Sequence, residues 1–176
     1  MQIFDTHCHY NLEPLFSGKK QYFSSEQLKL VSDKKWQDHW DQAKLQGVVA
    51  TLIPGTSLET SQQAISISQN SPKLFASIGI HPSDGVQLEF PELEKKFIQL
   101  AQLANDPKVV AIGETGLDYF HLSKQNFDKP KSAQGIFLLF QIQIQSLKNF
   151  SFVQPLSTNH FSPDHVMVID IFLSPH

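Results

Sequence analysis

Residues 47–80 read GVVATLIPGTSLETSQQAISISQNSPKLFASIGI, and this stretch decides the fold. Its two ends, 47–53 (GVVATLI) and 74–80 (LFASIGI), are short and nearly continuous apolar runs. Runs of that length predict strands buried on both faces, as in a parallel sheet covered by helices. Between them, 57–69 opens at Ser57, a favoured N-cap residue, carries Glu59 in its first turn and closes before Pro72. Strand, helix and strand in that order form a parallel unit, because parallel neighbours need a crossover between them.

The same alternation continues in both directions. Residues 2–9 (QIFDTHCH) predict a first strand, and 108–113 (KVVAIG) a fourth. Residues 25–46 place Leu28, Val31, Trp36, Trp40, Ala43 and Leu45 at roughly helical spacing and stop at Gly47, which predicts one long helix. A further helix is predicted over 91–104, with Pro91 in its first turn and Leu93, Phe97, Leu100 and Ala101 as its apolar stripe. A last one covers about 132–147, after a polar loop at 121–132 that contains Pro130. Beyond residue 148 the period is lost: 149–176 mixes prolines and histidines with one apolar run at 166–173. The expected fold is α/β with a parallel sheet of about four βα units in 1–147, and 148–176 as a divergent, irregular tail.

The chain has 176 residues, enough for one domain or a large piece of one. No apolar run approaches the ~20 residues of a membrane-spanning helix. The start, Met1-Gln2-Ile3-Phe4-Asp5, lacks the basic and then apolar pattern of a secretory leader. A cytoplasmic location without membrane association is therefore the expectation. Net charge is −3, and all 14 basic residues are lysine. That balance argues against a strongly basic duplex-binding surface, and arginine, the usual bidentate phosphate clamp, is missing. It leaves room for an enzyme that grips phosphate through bound metal. The single Cys8 excludes an intrachain disulfide and any multi-cysteine zinc site.

The chemistry concentrates at strand ends. In Asp5-Thr6-His7-Cys8-His9, pleating points Asp5, His7 and His9 one way and Thr6 and Cys8 the other. Two imidazoles at i and i+2 can share a cation, with Asp5 placed to accept a ring N–H. Gly113-Glu114-Thr115-Gly116-Leu117-Asp118-Tyr119 closes the fourth strand. If the strands curl into a barrel, Glu114 projects into the same mouth as the histidines, at the face where barrel chemistry sits. Gly79-Ile80-His81-Pro82 ends the third strand, which puts His81 where it could touch substrate or steady a ligand, or serve structure alone. Cys8 is expected to pack behind the sheet, and Trp36, Trp40 and Phe97 to be core. His39 and His121 carry no assigned role.

Three of these stretches, in this order, resemble the TatD family of metal-dependent deoxyribonucleases: Phe4–His9, Ser77–Pro82 and Val110–Tyr119. The resemblance covers about residues 2–145. It implies an incomplete (β/α) TIM-like barrel, amidohydrolase-like, that hydrolyses phosphodiester bonds at DNA ends with divalent metal ions: Zn, Mn, Co or Mg. Carried onto this sequence, it makes His7 and His9 ligands of one metal and Glu114 a ligand or bridge with a catalytic role. His81, Asp118 and Asp5 are left to support the site or the substrate.

The family pattern next asks for a strand ending in His-x-Arg. Here that region is Val153–Phe161, and His160 falls near the ligand's place without the arginine. Ser162–Val166 and Ile169–Ile171 again resemble the following helix. We hypothesise a local reading-frame disturbance; translating the coding DNA in all frames tests it, and finding no family-like strand there would end the idea. The late histidine and Thr-Asp motifs are not in this chain, so the resemblance implies an impaired site. The alternatives are an inactive half-barrel that binds metal weakly, or an amidohydrolase with another substrate. Exposed barrel edges lead us to expect self-association.

Overall fold

In a computed structural model of the chain, the described residues are 1–22, 25–85, 88–117 and 167–172. Their elements are β1 (Ile3–Asp5), β2 (Lys19–Tyr22), β3 (Ser25–Leu30), α1 (Trp36–Leu45), β4 (Val48–Ile53), α2 (Leu58–Ser68), β5 (Leu74–Ile78), the single turn α3 (Pro82–Gly85), α4 (Phe90–Leu103), β6 (Val109–Leu117) and β7 (Met167–Phe172). One sheet runs β1-β4-β5-β6-β7, and a separate hairpin pairs β2 with β3. The pairs β1/β4, β4/β5 and β5/β6 are parallel. Four parallel strands with helices between them form a curled half-barrel, the incomplete TIM-like arrangement expected.

The 47–80 reading holds closely. The Ser57 hydroxyl caps α2 by accepting the Thr60 N–H at 3.2 Å. Pro91 sits in the first turn of α4. Core burial follows the apolar runs: Leu52, Ile53, Leu74 and Ala76 are fully buried, with Ile78 and Ile80 nearly so. Withdrawing each large aliphatic side chain from water stabilises the fold by roughly 1.5–3 kcal/mol. Trp36, Trp40 and Phe97 are buried in the same cluster.

Three expectations need correction. Residues 25–46 are not one helix: 25–30 form β3, and only Trp36–Leu45 are helical. Leu28 and Leu30 alternate with polar neighbours, a period of two that the sparse helical spacing of Val31 and Trp36 disguised. Gly18, at φ 76°, accepts the N–H groups of both Val31 and Ser32, which pins the hairpin's base and stops a helix from running through it. Helix α1 starts only after the extended Lys35, whose N–H is taken by the Asp38 carboxylate at 2.8 Å. Second, the first strand ends at Asp5 rather than residue 9. The Cys8 N–H still donates to Leu52 at 3.0 Å, so the chain stays alongside β4 past the ladder. Third, within the tail read as irregular, 167–172 is a strand antiparallel to β6. The expected helix at 132–147, the loop at 121–132 and the boundary at 147/148 lie outside the described residues.

Candidate metal centre

His7, His9 and Glu114 converge. Both imidazole Nε2 atoms approach the same carboxylate oxygen of Glu114, His7 at 2.7 Å and His9 at 3.0 Å. The two Nε2 atoms are 3.1 Å apart. Two ring nitrogens and an oxygen packed this tightly repel one another unless positive charge lies between them, supplied by a proton or a cation. Among the described residues this is the one group of three donors close enough to hold a metal ion, all within 4.8 Å of one another. Two imidazoles and a carboxylate suit Zn, Mn or Co, and Mg less well. The donor set fits a divalent cation.

Glu114 forms the floor, its side chain 7% exposed, while His7 and His9 are 41% and 29% exposed and open toward solvent. Burial pushes the Glu114 carboxyl up, but hydrogen bonds from His7 and His9, with their charge, reverse this and hold it at about 2. The carboxylate is therefore ionised across the physiological range, as a ligand must be.

Asp5 Oδ1 accepts the backbone N–H of His7 at 3.1 Å, steadying the turn into the histidines. The buried Nδ1 of His9 has no partner among the described residues. His81 is brought to the rim, with Nε2 3.6 Å from the second oxygen of Glu114. The Ser83 N–H donates to His81 Nδ1 at 3.2 Å. The Ser83 hydroxyl lies 2.7 Å from the same nitrogen, so Ser83 holds the ring with its Nε2 edge toward Glu114. Asp118 and His160 lie outside the described residues. Cys8 packs against the core, and burial, partly offset by a hydrogen bond to Tyr10, raises its thiol to about 11.

What sequence reading missed is the scaffold under these donors, the turn Pro54-Gly55-Thr56 between β4 and α2. The buried Asn11 side chain donates to the carbonyls of Pro54 at 2.8 Å and Thr60 at 3.0 Å. The Gly55 carbonyl accepts the Glu114 N–H at 2.9 Å, and the Thr56 carbonyl accepts the His81 N–H at 2.8 Å. The Gly55 N–H donates to Ser77 at 3.0 Å. One turn thus ties together the segments carrying His7 and His9, His81 and Glu114. Glycine at 79 lets β6 close onto it: a Cβ there would meet the Gly113 carbonyl carbon at 2.6 Å. The only sequence signal was the Pro-Gly pair itself.

A family model described as TatD related DNase matches residues 4–146. A Salmonella typhimurium protein named 3'-5' ssDNA/RNA exonuclease TatD is 38% identical over 99 residues, which cover 56% of this chain and 34% of the relative. An uncharacterized metal-dependent hydrolase of Mycoplasma genitalium is 31% identical over 125 residues, 70% of this chain and 40% of the relative. The matches therefore span well under half of these relatives. Among solved structures, a TatD family hydrolase of Entamoeba histolytica superposes with TM-score 0.60 at 26% identity, covering 82% of this chain and 46% of that one. An uncharacterized amidohydrolase of Saccharomyces cerevisiae shares the fold, with TM-score 0.62 at 22% identity over 83% of this chain and 44% of that one.

Proposed function

This chain belongs to the TatD-related DNase family, and from that premise we propose that it is a metal-dependent hydrolase of phosphodiester bonds at the ends of single-stranded nucleic acid, DNA above all. The observation that carries the reading is the convergence of His7, His9 and Glu114 on one point at the mouth of the sheet. Curated relatives named as exonucleases and as a metal-dependent hydrolase support it.

When bound, a divalent cation would supply Lewis-acid polarisation of a phosphate oxygen. His7, His9 and Glu114 would hold it. His81 would set its Nε2 edge against the substrate phosphate at the rim, and Asp5 would keep the His7 backbone in place. Asp118 and His160 complete the reading as rim support and as a further ligand. No helix among the described residues is long and apolar enough to cross a membrane. Self-association through the β1 edge belongs to the same reading, and solution size tests it.

The test is release of mononucleotides from a 3'-labelled single strand with Mg, Mn or Zn, run beside Glu114→Ala. Metal-dependent release that vanishes in the variant is expected. Release that survives Glu114→Ala, or none with any metal, would count against the proposal. The second reading, a protein that holds metal without turnover, is favoured by the small donor set, three side chains among the described residues. It predicts a Glu114-dependent metal affinity with no product at all.

A further inference from the structure

The main chain of His81 is fastened on both sides. Its N–H donates to the Thr56 carbonyl at 2.8 Å, and its own carbonyl accepts the N–H groups of Asp84 at 3.0 Å and Gly85 at 2.9 Å. These bonds fix where the residue stands, between β5 and the single turn α3. They leave the ring's rotation open, because the last torsion of a histidine is broad and roughly two-fold.

Ser83 closes that freedom. Its hydroxyl at 2.7 Å and its N–H at 3.2 Å both meet His81 Nδ1, so one residue of α3 engages one ring nitrogen with two groups. The opposite nitrogen, Nε2, then stands 3.6 Å from Glu114 Oε2. His7 and His9 both approach the other oxygen, Oε1. His81 therefore faces the side of the carboxylate that those two histidines leave over, outside the cluster of three donors. A flipped ring would put a carbon where each nitrogen now lies, and the rim would lose that polar edge.

We propose that Ser83 is a positioning residue for phosphate recognition: its hydroxyl holds the His81 ring in the rotation that turns Nε2 toward Glu114 and toward a phosphate group bound beside it. The proposal rests on the nuclease reading for that phosphate. Ser83 acts through His81 and holds no metal, so its loss should be felt by the phosphate and not by the cation.

The test uses the full chain loaded with Mn, with thymidine 5'-monophosphate as the probe, read by calorimetry. Ser83→Ala should weaken probe binding about tenfold, the usual effect of losing support behind a functional side chain. Ser83→Thr keeps the hydroxyl and should restore most of the affinity. In a His81→Ala background Ser83→Ala should cost nothing further, because residues that act as one unit are not additive. Mn affinity should stay at the native value in Ser83→Ala. In the metal-free chain the ring nitrogen resonances of His81 should move in Ser83→Ala, a direct sign that the ring has lost its partner. Native probe affinity in Ser83→Ala, an equal further loss in the His81→Ala background, unmoved His81 resonances, or no probe binding by the native chain would each overturn the proposal. A chain that binds the probe as expected but releases no mononucleotide from a labelled strand counts against the nuclease reading alone.

Discussion

Gly79 lies so close to Gly113 that a methyl group at position 79 would stand 2.6 Å from the Gly113 carbonyl carbon and 2.9 Å from the Glu114 nitrogen. Both neighbours are backbone, so no side-chain rotation can relieve the overlap. Gly79→Ala should cost about 1–3 kcal/mol of stability. It should also weaken metal binding, because relief requires β6 to move and Glu114 with it. Urea denaturation and a Zn titration check the two effects. Wild-type values in both would mean that the strand ends are less tightly coupled than their contacts imply.

Asn11 makes the matching argument from a side chain. Asn11→Ala leaves the buried Pro54 carbonyl without its side-chain donor and removes the tie to the Thr60 carbonyl, and should cost about 1–3 kcal/mol. Asn11→Asp should be worse, since a carboxylate would face two carbonyl oxygens. Metal affinity should fall about tenfold, the usual effect of losing support behind a ligand. An Asn11→Ala protein with lowered stability and undiminished Zn affinity would show that the residue serves packing only.

Chelation offers a third check. Metal at a hundred times its dissociation constant should stabilise the native chain by about 2.7 kcal/mol, visible as a higher melting temperature that EDTA removes. In His9→Ala, and likewise in Glu114→Ala, the same metal concentration should leave the melting temperature nearly where EDTA puts it. An equal EDTA response in wild type and variants would place the bound metal elsewhere.

The Cys8 thiol is held at about 11, chiefly by burial. Alkylation should therefore be slow at neutral pH and accelerate toward pH 11. The folded thiol titrates above its ordinary value, so its contribution to stability is complete below about pH 9 and is lost as pH rises toward 11. Rapid modification of the native chain at pH 7 would contradict the burial.

Much of this could be read from the sequence because it is written in apolar runs. The strands at 48–53, 74–78 and 109–112 are apolar enough to announce burial on both faces. His7, His9 and Glu114 stood out because such donors at strand ends have few structural uses. The hairpin was misread because Leu28, Val31 and Trp36 happen to fall near helical spacing, while the residue that breaks the helix, Gly18, acts from outside the window. Asn11, Gly55 and Gly79 could not be recognised as a set. Their effect arises where segments distant in sequence meet, and a local pattern carries no trace of that meeting.

The Pro54-Gly55-Thr56 turn works as a ruler: it sets the spacing of the donors while contributing none itself. Anyone transplanting this centre onto another scaffold would have to carry that tripeptide and its Asn11 strut along with the histidines and the glutamate. Drift at those unassuming positions could silence the site while every ligand survived, and an inventory of ligands would report the protein intact.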